Sequence, residues 1–276
     1  MLQVHRHTDA RAFLERAESW LLRAEIAHAV LIGSARHART DDSHYERPIY
    51  WATIEDDGEL IGCAYRTPPY KVGVTALPPT AIAPLVASLE ETYATVSGFS
   101  GPEPTASAVA AAWVERHGGS WSIQARQRLL SLPSAPRGSL TAGTLRLASS
   151  DDAALTQTWG AAASLDSGIA PLDGQFCLRL LGAKRLYLWV DDKPRCMLGL
   201  IRETPHSAAL AIVYTPAAYR GQGHATAAIT ALGELLRERG VEATYLYLDP
   251  ASDAARALAQ KLGATLIHDE VDIDTR

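Results

Sequence analysis

The residues best suited to chemistry in this chain form one run, Tyr219-Arg220-Gly221-Gln222-Gly223-His224-Ala225. It lies between an apolar, β-rich stretch at 207–215 and a segment with helical periodicity. A glycine-rich turn that opens a helix presents unpaired backbone N–H groups at the positive end of the helix dipole, a seat for phosphate oxygens. The two glycines let a ligand approach the main chain where a Cβ would collide. The chemistry implied is the binding of a coenzyme that carries a pyrophosphate.

Three phosphate-binding patterns compete for this turn. A Walker P-loop ends in Gly-Lys-Ser/Thr, and no lysine lies near 219–226. A dinucleotide fingerprint would use Gly221 and Gly223 but meets Thr226 at its third glycine, and its acidic residue after the helix, Asp249, comes late. The pattern R/Q-x-x-G-x-G/A is met in full by Arg220-Gly221-Gln222-Gly223-His224-Ala225. A purely structural strand-to-helix turn needs no arginine at this spacing and seldom needs two glycines.

The elements that must hold the turn are legible around it. Ala225, Ala228, Ile229, Leu232, Leu235 and Leu236 recur at helical spacing and mark one buried face, with Gly240 as the stop. Upstream, 144–148 reads as a strand, and Ser149-Ser150-Asp151-Asp152 offers N-caps to a helix reaching about residue 163. A second helix is expected at 172–181. Strands at 185–190 and 195–202 flank the turn signal Asp191-Asp192-Lys193-Pro194, and 207–215 is the third strand. Downstream, 241–248 alternates as a strand ending at Asp249-Pro250, 252–262 reads as a helix closing at Gly263, and 265–273 as a last strand or two.

With these elements around it, the hexapeptide resembles the coenzyme A signature of the GNAT superfamily of N-acetyltransferases. The resemblance runs through Ile212-Val213-Tyr214-Thr215-Pro216-Ala217-Ala218-Tyr219 into the turn, then Leu246-Tyr247-Leu248-Asp249-Pro250 and Lys261-Leu262-Gly263-Ala264, and it covers about 144–276. It implies an acyltransferase that moves an acetyl group from acetyl-CoA directly to a primary amine in a ternary complex. In that family the strands before the turn and after its helix splay apart, and the pantetheine arm pairs with the first of them.

Carried onto this chain, the resemblance has main-chain groups of Val213, Tyr214 and Thr215 hold the arm. The pyrophosphate falls to Arg220, Gly221, Gln222, Gly223, His224, Ala225 and Thr226. Ser252 falls beside the arm and is equally suited to cap its helix. A tyrosine in the last helix commonly protonates the departing thiolate, but Ala259 stands at that position and cannot donate a proton. Tyr247 matches a tyrosine common in close family members and is the acid candidate; Glu203 and His206 are base candidates by proximity in sequence. Ala259 also keeps open a non-catalytic acyl-CoA-binding or regulatory protein.

The N-terminal half echoes this order, with helices at 9–23 and 25–38, a hairpin at 49–54 and 60–66, a strand at 72–77 and a helix to about residue 93. A duplicated unit is expected. The fold class is then α/β, tandem GNAT-like domains that each carry a mixed sheet flanked by helices. The first, at 1–132, is degenerate; 133–143 is a linker; 144–276 is the coenzyme-binding domain. Leu77-Pro78-Pro79-Thr80 replaces the glycine turn in the first half, which therefore lacks a pyrophosphate loop.

Composition sets the outer bounds. The 276 residues suit two domains of roughly 100–200 residues. A 47% hydrophobic chain has enough apolar side chains for a core in each. A net charge of −5 gives no electrostatic footprint for nucleic acid. Cys63, Cys177 and Cys196 lack metal or disulfide spacing, so the expectation is free buried thiols, no metal and a reduced, cytoplasmic compartment. No apolar run reaches the roughly 18 residues of a membrane span. The expected partner is a small-molecule or peptide amine; the N-terminal half either shapes the acceptor cleft or mediates a homodimer.

Overall fold

The computed structural model describes residues 1–133, 141–167 and 173–276. Most of the expected linker at 133–143 and the start of the expected helix at 172 lie outside these residues. The chain divides into two units, one of Met1–Arg128 with Ile267–Arg276 and one of Leu129–Leu266.

The first unit begins with β1 (Leu2–Arg6), α1 (Ala10–Leu22) and α2 (Ala29–Thr40). Asp9 caps α1 by accepting from the Ala12 N–H at 2.9 Å, and Phe13, Leu14, Ala17 and Leu21 form its buried stripe. The hairpin β2 (Tyr50–Asp56) and β3 (Glu59–Arg66) turns at Asp57 and Gly58, both at positive φ (49° and 82°), the backbone a tight two-residue hairpin requires. Then follow β4 (Val72–Val74), α3 (Ile82–Glu90), β5 (Gly98–Pro102), α4 (Glu103–His117) and β6 (Trp121–Leu132). β5 carries little strand signal in the sequence, because it is short and rich in Gly and Pro, residues depleted from strands; α4 and β6 after it are additions to the expected order.

The second unit contains β7 (Thr144–Leu147), α5 (Ala153–Ser167), α6 (Gly174–Gly182), β8 (Leu186–Val190), β9 (Pro194–Glu203) and β10 (Ser207–Tyr214). It continues with α7 (His224–Glu238), β11 (Ala243–Leu248) and α8 (Asp253–Leu262), and the chain ends in β12 (Thr265–Thr275). α7 buries Ala228, Ile229, Leu232 and Leu236, the face its periodicity marks.

Strand order explains the division. In the first unit β1-β2-β3-β4-β5 is completed by β12 from Ile267 onward; in the second β7-β8-β9-β10-β11 is completed by Leu129–Leu132 of β6, whose earlier residues Trp121–Arg128 belong to the first unit. The last strand of each half thus crosses the division between the units, which runs at Arg128/Leu129 and Leu266/Ile267. β12 pairs antiparallel with β5, Val271 opposite Gly101 and Ile273 opposite Phe99. Val271 and Ile273 alternate into the core that holds Phe99, Trp113 and Leu85. Lys71 forms ion pairs with Asp272 and, at 2.7 Å, with Asp274. In return Leu130 of β6 packs on Leu248 and Ala259. A strand's own alternation says that one face is buried, and nothing in it names the sheet that buries it.

Cys63, Cys177 and Cys196 are free and buried, as expected. Burial pushes the Cys177 thiol up to about 11 and the Cys196 thiol up to about 12, so both are inert as nucleophiles.

The entry to α5 carries a capping box in which Asp152 is the central acceptor. Its carboxylate takes both Arg146 Nη groups (2.7 and 2.8 Å) and the Ser149 N–H (2.8 Å). The Arg146 guanidinium, more than any other group, holds the Asp152 carboxyl down at about 2. Because the folded value lies below the unfolded one, the stabilisation is complete above about pH 4 and is lost as pH falls through about 2. Asp152→Asn is expected to cost about 1–2 kcal/mol in urea unfolding at pH 7. The variant should approach the wild type as pH falls towards 2; a deficit unchanged by pH would assign it to packing instead.

Candidate functional site

β10 is shaped by two bulges. Against β9, Ala209 opposes Arg202 but Leu210 opposes Leu200, and Val213 opposes Leu198. The first step skips a residue of β9 and the second adds one to β10. An inserted residue reverses which face each later side chain takes. Ala208 and Leu210 accordingly pack with α7, while beyond the bulge Val213 joins that cluster and Ile212 and Tyr214 turn to the opposite one, beside Trp159 of α5.

On its other edge β10 runs parallel to β11, and the pairing stops early. The register holds from Ser207 opposite Ala243 to Leu210 opposite Leu246, although β10 continues to Tyr214 and β11 to Leu248. Val213 and Tyr214 therefore keep β9 on one side and have no β11 partner on the other. This is the gap the resemblance implies for an extended arm.

The turn follows at the open end. After a short 3₁₀ turn at Ala217–Tyr219, Gly221 and Gly223 sit at φ +76° and +86°, where an L side chain is strained. Four contacts pin the loop. Arg220 Nε donates to the Thr215 carbonyl at 2.9 Å and its Nη2 pairs with Asp166 of α5. Gln222 Nε2 donates to the Ala218 carbonyl, and the Gln222 carbonyl accepts from Thr141 Oγ1 at 2.9 Å. The N–H side is left open: among the described residues, the N–H groups of Gly221, Gln222, Gly223, His224, Ala225 and Thr226 make no hydrogen bond. α7 has no side-chain cap. A Cβ built on Gly221 would meet nothing within 4 Å, so the space above it is free for a ligand. His224 is 5% exposed and its Nδ1 has no partner. Six unpaired donors, an open approach and a buried ring nitrogen without a partner fit an anion of pyrophosphate size.

The first unit lacks each of these features at the matching place. There β4 and β5 pair at Val72–Phe99 and Gly73–Ser100, and a Cβ on Gly101 would come 2.4 Å from the Val74 carbonyl oxygen, so the backbones stay in contact. Pro78 and Pro79 have no N–H to offer, and the Ala81 and Ile82 N–H groups bond to the carbonyls of those prolines.

The other sequence-derived candidates separate clearly. Tyr247 is the first residue of β11 beyond the last paired position, half-buried, with its ring 6.3 Å from that of fully buried Tyr245. Ser252 Oγ caps α8, accepting from the Ala255 N–H at 3.3 Å. Ala259 is buried under Leu130 and Leu248. Glu203 and His206 flank the opposite end of β10, roughly 20 Å of strand from Val213, and Glu203 is paired with Arg185. Neither is beside the gap, since neighbours in sequence separate at about 3.3 Å per strand residue. Asp166 and Thr141 were not singled out from the sequence; they lie 54 and 81 residues from their turn partners and carry no local signal.

Residues 160–264 match the family model of the acetyltransferase (GNAT) family. No curated protein sequence matches the chain. Among solved structures, a GNAT-family acetyltransferase from Colwellia psychrerythraea covers 99% of this chain and 100% of its own at 14% identity and TM-score 0.55. A GCN5-related N-acetyltransferase from Sphaerobacter thermophilus covers 100% and 95% at 16% identity and TM-score 0.54. A tandem GNAT protein from the clavulanic acid biosynthesis pathway covers 100% and 98% at 11% identity and TM-score 0.50. Residues 160–264 are thus a GNAT domain. The chain as a whole has the fold of the tandem GNAT proteins, mixed sheets flanked by helices.

Among the described residues no cluster of His, Cys, Asp and Glu is arranged to hold a metal ion, and no helix is long and apolar enough to cross a membrane.

Proposed function

We propose that the second unit binds acetyl-CoA and transfers its acetyl group to a primary amine of a small molecule or peptide. The observation that carries this reading is the run of open N–H groups from Gly221 to Thr226 at the end of a strand whose pairing stops short. The turn would hold the pyrophosphate, and the edge of Val213 and Tyr214 that has no β11 partner, with Thr215 just beyond it, the pantetheine arm. In the transfer the neutral amine attacks the thioester carbonyl, a C–N bond forms and the nitrogen releases a proton to a base or to water, while the C–S bond breaks and the coenzyme leaves as a thiol after taking up a proton. Calorimetry with acetyl-CoA tests binding; no heat at millimolar concentration would end this reading.

Tyr247 is the side chain proposed to give that proton, from its place just past the last β10–β11 pair. Tyr247→Phe is expected to lower kcat about 10- to 100-fold with little change in KM for acetyl-CoA. An unchanged kcat would remove Tyr247 from the reaction.

Ala259 favours a second reading, a non-catalytic acyl-CoA-binding or regulatory protein, since a buried methyl group occupies the usual place of the acid. Thiol release measured over a broad amine panel separates the two. Tight acetyl-CoA binding with no release above background would support the second.

A further inference from the structure

Tyr219, immediately before the turn, lies under two cations. The Arg195 guanidinium is 4.5 Å from its ring centroid and the Lys193 ammonium 5.8 Å. Both come from the β8–β9 hairpin, whose tip the register Tyr214 opposite Met197 brings alongside the end of β10. The hairpin is therefore fastened beside the loop by an Arg–Tyr stack.

The cations at this corner differ in what already answers their charge. Arg195 Nε donates to both oxygens of Asp191 (2.7 and 2.8 Å) and its Nη2 to Asp192. Arg220 is committed to Asp166 and the Thr215 carbonyl. Lys193 is exposed, and among the described residues its ammonium makes no ion pair or hydrogen bond. It is a compact charge on a flexible stem, rooted at a fixed point beside a loop suited to phosphate.

A diester pyrophosphate needs the main-chain donors of the turn. Coenzyme A carries a second anion one ribose away, the 3′-phosphate, a monoester with up to two charges that a lysine at the rim could meet as a point charge. Resting on the acetyl-CoA reading above, we propose that Lys193 recognises this 3′-phosphate and makes the site prefer the coenzyme over its 3′-dephospho form.

The test is calorimetry of the full chain with acetyl-CoA and with acetyl-3′-dephospho-CoA, for the wild type, Lys193→Ala and Lys193→Arg. The wild type is expected to bind acetyl-CoA about tenfold more tightly, a modest ratio because the contact is exposed. Lys193→Ala should bring the ratio near one by weakening acetyl-CoA alone, and Lys193→Arg should keep most of it. Equal binding of both ligands by the wild type overturns the proposal while leaving the acetyl-CoA reading standing, as does a ratio that survives Lys193→Ala or a loss that falls equally on both ligands. If neither ligand binds the wild type, the acetyl-CoA reading fails and this proposal with it.

Discussion

Replacing Gly223 by valine is expected to weaken acetyl-CoA binding about 100-fold or more, because at least two charge-assisted N–H contacts worth roughly 1.5–3 kcal/mol each would be misplaced. Gly223 stands at φ +86° as the residue that opens α7, a conformation a β-branched side chain resists. The chain would relieve that strain by rotating the loop and turning its donors away from the phosphates. Part of the effect would be strain on the fold itself, and two further variants separate the parts. Gly221→Ala places a methyl group at φ +76° in space where no protein atom lies within 4 Å, so a loss of binding there reports a clash with the ligand. Gly240→Ala carries similar strain, φ +85° with nothing within 4 Å, at the far end of the same helix. Calorimetry should show binding lost in Gly223→Val, weakened in Gly221→Ala and unchanged in Gly240→Ala, with similar modest losses of stability in the two alanine variants. Wild-type affinity in Gly223→Val would move the seat of the coenzyme away from this turn.

The turn was legible from sequence because its demands are local. Two positive φ angles, free donors and a following amphipathic helix all leave marks within about 20 residues. The hairpins at Asp57-Gly58 and at Asp191-Asp192 were legible for the same reason. What the sequence hid is non-local. The bulges that reverse β10 between Leu210 and Val213 depend on β9, and the run of apolar residues from 208 to 214 reads the same with or without them. Asp166 reaches Arg220 only through the fold, and Glu203 and His206, close to the signature strand in sequence, lie at its far end. The crossing strands are the largest case: 265–273 reads as an ordinary last strand of the second half, and only the finished structure assigns it from Ile267 onward to the first unit and Leu129–Leu132 of β6 to the second.

That crossing makes the second large prediction. Ile273→Ala is expected to destabilise the unit of Met1–Arg128 by about 2–5 kcal/mol, although Ile273 comes from the far end of the chain. Its side chain is fully buried, opposite Phe99 and in one cluster with Trp113 and Val271, so truncation leaves a cavity bounded by rigid rings. Relaxation is restricted because β5 and β12 already lie close: a Cβ on Gly98 would come 1.8 Å from the Ile273 carbonyl oxygen. Leu130→Ala in β6 is the converse, removing contacts with Leu248 and Ala259 in the unit of Leu129–Leu266. Native-state hydrogen exchange reads the two separately. Ile273→Ala should lose protection mainly in β5 and α4, and Leu130→Ala mainly in β11 and α8. Were each half of the sequence to keep its own last strand, Ile273→Ala would instead expose β11 and α8, and the crossed arrangement would be wrong.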